Sequence, residues 1–289
     1  MEKSRQRVLT RLEKALGTDV IAVAWAVAET HGLDPNRATA RVAQRCATAP
    51  RRKPAVTLFV SGQGGCASFA DYTIRALRSL YERVDVIVAS DVAGAGTLLA
   101  LGADTCFIAG AGALGAYDSG PRLPGPARLT PREFNDVPAM GGVDLESEPG
   151  LQGRLAFHRH ESRIARNLAE RWLGEDRRSL FVSLSAHDLG DSTAIGPEEL
   201  DDSRIVRASD EVADAATKAQ EIYDFLLRID GDDTLVQYTA DGLGDEVEFE
   251  AAMDIPVACV ESVRFSSVFL VDSGRPHPET RLYVGRWTK

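Results

Sequence analysis

Apolar residues change their spacing several times along this chain, and each change marks an element. In residues 4–16 (SRQRVLTRLEKAL), Val8, Leu9, Leu12 and Leu16 recur at helical spacing, and Gly17 follows as a stop. Val20–Val27 is a short continuous apolar run with β-branched residues, which predicts a buried strand. Asp34-Pro35 predicts the start of a helix over residues 35–48, and Ala49-Pro50-Arg51-Arg52-Lys53-Pro54 breaks the pattern. From Ala55 the alternation is clearer. AVTLFV reads as a strand, SGQGG as a glycine turn, Ala67–Tyr81 as an amphipathic helix and VDVIVA as a second strand. That order is a βαβ unit, whose crossover is right-handed. Asp91–Gly96 (DVAGAG) is a second glycine turn leading into a helix over Thr97–Gly102; TCFIAG is a third strand and Ala113–Gly120 (ALGAYDSG) a turn. Two parallel strand ends therefore each present a glycine turn and a helix N-terminus.

Residues 121–153 carry Pro121, Pro124, Pro126, Pro131, Pro138 and Pro149 and are expected to be irregular. Helix returns over 158–173, His187-Asp188 falls in a loop, and Ile195-Gly196-Pro197-Glu198-Glu199 reads as a loop running into a helix start. A helix over roughly 208–228 precedes five β-like stretches, TLVQYTA, EVEFE, VACVESVRF, VFLVDS and RLYVGRW. The predicted fold class is α/β. It divides into an N-terminal helix and strand (1–54), a βαβ core (55–202) and a helix plus β-rich C-terminal appendage (203–289).

Composition narrows the function classes. The 289 residues carry 33 Lys+Arg against 43 Asp+Glu, a formal charge of −10, which argues against nucleic acid or anionic lipid as the main partner. Cys46, Cys66, Cys106 and Cys259 lie far apart with no CxxC or CxxH pair, so neither a metal site nor a disulfide framework is indicated, and a reducing cytoplasm is the expected setting. Val20–Ala28 is about half of a bilayer span, so no membrane span is expected. No cofactor motif stands out. His158 and His160, two apart beside Glu161, point different ways on a helix, and Asp230-Gly231-Asp232-Asp233 lacks calcium-loop spacing. The arginines Arg159, Arg163, Arg166 and Arg171 read as a solvated face or a subunit contact.

The ordered set VTLFVSGQGG, VDVIVASDVAGAGTLLALGAD and TCFIAGAGALGAYDSG resembles the Clp-protease/crotonase superfamily. Within it, the chain is similar to the serine dehydrogenase proteinase family, relatives of signal peptide peptidase A. RLEKALGTDVIAVAWA resembles that family's opening helix and strand, and SGQGG stands at its TPGG-like turn. AGTLLALGAD resembles its SAGTLIALAAD-like helix, LGAYD its LGPVD segment, and AHDLGDSTAIGPEEL its THDYPIT…EEA stretch. The likeness runs from about residue 8 to 200. It implies a stacked βαβ core and homo-oligomers.

One departure bears on chemistry. The family's nucleophilic serine immediately precedes AGT, where this chain has Gly94 before Ala95-Gly96-Thr97. No serine occurs between Asp91 and Leu114, and no lysine between Lys53 and Lys218, so a Ser-Lys dyad needs one of those two lysines to fold back. The resemblance further implies that backbone N–H groups of Gly64, Gly65, Gly94 and Ala95 converge on a carbonyl oxygen, since glycine admits close approach and a helix N-terminus supplies positive potential. Ser61, Ser68, Ser90 and Ser119 are candidate substitute nucleophiles; Asp91, Asp118, His187 and Asp188 are candidate acid/base groups. Two readings stay open. One is a peptidase-like protein without its nucleophile that binds a peptide, protein or acyl ligand. The other is an active enzyme, either a displaced-serine peptidase or a crotonase-type lyase or hydratase.

Overall fold

The computed structural model describes residues 2–25, 37–48, 53–62, 64–118, 149–185, 194–227, 254–263, 265–272 and 285–287. The first helix, α1 (Glu2–Leu16), leads into β1 (Asp19–Trp25), followed by α2 (Arg37–Ala47), β2 (Ala55–Ser61), α3 (Ala67–Arg78) and β3 (Arg83–Val88). A two-residue strand, β4 (Asp91–Val92), precedes α4 (Ala95–Gly102), β5 (Thr105–Ile108) and β6 (Ala113–Gly115). Then come α5 (Pro149–Leu173), α6 (Arg178–Ser183), β7 (Ala194–Ile195), β8 (Ile205–Arg207), α7 (Asp210–Leu227), β9 (Asp254–Ser262), β10 (Phe265–Asp272) and β11 (Gly285–Trp287).

Eight strands make the main sheet in the order β11-β10-β9-β1-β2-β3-β5-β8. The run β1-β2-β3-β5-β8 is parallel, with Val20 opposite Thr57 and Phe59 opposite Ile87. The predicted α/β class is therefore the observed one. The strands of this run are apolar on successive residues because both faces are covered. Ile21, Val23, Val56, Leu58, Val60, Val84, Val86 and Val88 pack toward the side carrying α2–α5, whereas Val20, Ala22, Ala24, Phe59 and Ile87 pack under α1 and α7. The β-rich C-terminus is seated on this same sheet: β9 pairs antiparallel with β1, and β10 and β11 extend it outward. No described helix is long and apolar enough to cross a membrane.

Several local expectations change. ALG at 113–115, expected as a turn, is β6, which joins β4 and β7 in a second, three-stranded sheet. Three residues with no period were too few to signal a strand. The chain thus steps from β3 in the main sheet to β4 in the small one, through α4 back to β5, then to β6. The fourth helix starts at Ala95, two residues before the expected Thr97, and α5 starts at Pro149, where proline at the first helical turn costs no hydrogen bond. The third helix stops at Arg78 because the N–H groups of Leu80 and Tyr81 fold back on Leu77 O. Segments TLVQYTA and EVEFE fall outside the described residues.

Candidate functional site

The two glycine turns meet at the start of α4. The second strand ends at Ser61 and its turn runs through Gly62, Gly64 and Gly65 into α3; the short β4 ends at Val92 and turns through Ala93 and Gly94 into α4. Gly94 has φ 60° and ψ −119°, a conformation that side chains rarely adopt. Strand, one strained residue and then helix is the backbone on which many hydrolases present a nucleophile. At Gly94 nothing projects from it.

Close approach explains the neighbouring glycines. A Cβ on Gly96 would lie 2.9 Å from Val92 Cβ and 3.4 Å from Gly62 O, so the helix rests directly on both β4 and the other turn. On Gly62 it would lie 2.6 Å from the Trp25 indole, which is itself buried edge-on against Phe69. Aromatic packing from β1 thereby fixes the beginning of the first turn.

Backbone hydrogen bonds then tie the turns together. Ala95 N–H donates to Gly64 O at 2.9 Å, and Gly94 N–H donates to Ala116 O at 2.8 Å. The Thr97 hydroxyl, wholly buried, donates to Gly115 O at 2.9 Å and lies 3.2 Å from Val92 O, holding the end of β6 against the elbow. Two of the four N–H groups expected to converge on a ligand carbonyl are therefore engaged within the protein. Among the described residues, the N–H groups of Gly64 and Gly65 face no acceptor.

The candidate side chains have separate fates. Asp118 is at the end of the segment that passes Gly94, but its buried carboxylate accepts from Arg166 Nε at 2.9 Å, with Arg166 reaching in from α5. Ser61 is buried at the end of β2 and accepts from Gln220 Nε2 of α7 at 2.7 Å, on the side of the sheet away from α4. Asp91 is exposed on β4, and Ser68 and Ser90 are partly buried. His187, Asp188, Ser119 and the Asp230–Asp233 stretch lie outside the described residues.

A residue weighed only as a metal ligand sits closest to the first turn. Glu161, on α5, is 7% exposed, and its Oε2 accepts from Ala67 N–H at 2.8 Å, capping the N-terminus of α3 immediately after Gly65-Cys66. The Cys66 side chain makes no cap of its own. A carboxylate at a helix N-terminus is favoured by the orphan N–H groups and by the helix dipole. Its partner is 94 residues away, so no local motif announces it. His160 is exposed, one turn from Arg163, whose guanidinium lies 3.3 Å from its Nδ1.

No protein-family model matches the sequence, and no curated protein does. Among solved structures, the chain is similar to one described as an enoyl-CoA hydratase/isomerase from Mycobacterium abscessus, at 16% identity over 79% of this chain and 88% of that one, with a TM-score of 0.33. It is also similar to an enoyl-CoA hydratase from Mycobacterium avium subsp. paratuberculosis K-10, at 15% identity over 69% of this chain and 94% of that one, with a TM-score of 0.25. Overlays this loose carry no argument about chemistry, which has to come from the residues at the two turns.

Proposed function

We propose that this protein is a serine-peptidase-like member of the Clp-protease/crotonase superfamily that has lost the family serine and works by binding. Its ligand would be a peptide, protein or acyl group whose carbonyl or carboxylate oxygen meets the turns at the N–H groups of Gly64, Gly65 and Ala95, that of Gly94 being held by Ala116 O. The observation that carries this reading is Gly94: the strained strand-to-helix apex is kept, and its residue has no side chain to attack with. Asp118 is engaged by Arg166, which leaves the lyase or hydratase alternative, framed on Asp118 or His187, to rest on His187.

The test is labelling with a fluorophosphonate probe, with the modified peptide mapped by mass. Wild-type protein should take no label, and Gly94→Ser should be labelled at residue 94 alone. Labelling of the wild type at any serine would overturn the binding reading in favour of a displaced-serine hydrolase. Turnover of an acyl-coenzyme A by the wild type would favour the lyase alternative.

A further inference from the structure

The bond from Ala95 N–H to Gly64 O has a second meaning at this site. A carbonyl oxygen already sits at the donor that heads α4, in the place where a ligand oxygen would accept. We infer that this contact is an autoinhibitory plug, and that the site opens by a flip of the single peptide joining Gly64 to Gly65. The inference rests on the binding reading above for the identity of the ligand, but not for the switch itself.

The flip exchanges the two ends of one peptide unit. Gly64 C=O turns away from Ala95, Gly65 N–H turns in, and one acceptor blocking one donor becomes two adjacent donors. Such a motion alters ψ of the first residue and φ of the second by about half a turn each in opposite senses, leaving the rest of the chain in place. Gly65 now has φ 90°; the flipped state carries it to about −90°, which is open to any residue. Gly64, at φ 76°, keeps its φ in both states.

The surroundings confine the motion to this unit. Upstream, Gly62 is pinned beneath the Trp25 indole. Downstream, Ala67 N–H is clamped by the buried Glu161 carboxylate. Opposite, Ala95 and Gly94 are fixed by α4 and by the bond to Ala116 O. A two-state element between rigid supports is what a local switch requires.

The second glycine also provides the variant. An L-residue at 65 is penalised only in the plugged state, so Gly65→Ala should shift the balance toward the open state by about tenfold. The readout is the Ala95 amide in ¹⁵N-labelled full-length protein, by proton shift and hydrogen exchange, with sodium acetate as the probe against sodium chloride. Wild-type protein should show a protected Ala95 amide that responds only at high acetate. In Gly65→Ala that amide should move upfield, exchange about tenfold faster and respond at about tenfold lower acetate. Loss of protection without any acetate response would support the switch and count against the binding reading. An Ala95 amide equally protected in Gly65→Ala and wild type would overturn the switch. If Gly65→Ala does not fold, the wild type decides: saturating acetate must shift the Ala95 and Gly65 amides together, and failure of either to move overturns it.

Discussion

Each face of the main sheet buries a polar cluster, and the two are built in opposite ways. Beneath α1 and α7, the fully buried Glu261 of β9 accepts from Arg5 Nε at 2.9 and 3.0 Å, from Tyr223 O–H at 2.6 Å and from Ser266 O–H at 2.9 Å. Three elements from both ends of the chain, α1, α7 and β10, thus converge on one carboxylate of β9, each with a side chain. Burial pushes the Tyr223 phenol up and the Glu261 charge adds to it, so that hydroxyl remains a donor. Across the sheet, the glycine turns are joined chiefly through backbone hydrogen bonds, with the Thr97 hydroxyl and the Glu161 carboxylate beside them. The first cluster tolerates no unpaired atom and locks the fold; the second relies on small residues and single bonds that can be exchanged. Rigidity and adaptability are placed on opposite faces.

That contrast can be broken from either side, and the Glu261 side should break hardest. Glu261→Ala strands the Arg5 guanidinium in the interior, and urea unfolding should show a loss of about 3–5 kcal/mol. Next, Gly62→Ala forces a methyl into the Trp25 indole at an unfavourable φ; chemical unfolding should report a loss of about 2–4 kcal/mol, with the buried tryptophan's fluorescence altered in the native baseline. Glu161→Ala removes the cap from α3 and should cost about 1–2 kcal/mol in the same assay, with most of the loss recovered in Glu161→Gln, whose amide oxygen can still accept from Ala67. A stability deficit as large as that of Glu261→Ala would refute the proposed difference between the faces.

The smallest effect is one of pH. Burial pushes the Asp85 carboxyl above its ordinary value, the Arg83 charge opposing without cancelling it, and one of its oxygens lacks a partner. The folded state therefore holds this proton more tightly than the unfolded chain, so its contribution to stability falls as pH rises from about 3.8 upward through the raised value. Asp85→Asn should flatten that part of the stability–pH curve and raise stability at neutral pH by about 1 kcal/mol or less. A curve superimposable on the wild type's would show that Asp85 is not strained by its burial.

Much of the architecture was legible because its signals are local. The apolar runs AVTLFV and VDVIVA read as strands and are β2 and β3, and the helical stripe Val8-Leu9-Leu12-Leu16 reads as a helix and is α1. Gly94 was legible as the glycine at the start of the helix after β4, from its place before Ala95-Gly96-Thr97. By contrast, β6 is too short to carry a period, and the clamp of Glu161 on Ala67 joins residues 94 positions apart. Nor could the occupation of Ala95 N–H by Gly64 O be read from letters, since every glycine turn offers the same groups.

The sequence by itself determined the α/β class, the two glycine turns with their helix starts, and the absence of a serine at the apex, because periodicity, turn chemistry and residue identity need only near neighbours. Tertiary structure alone decided that the C-terminal strands complete the main sheet, that Asp118 is tied to Arg166, and that one turn plugs the other. Those outcomes depend on which distant groups come within about 3 Å of each other, and chain order does not encode that distance.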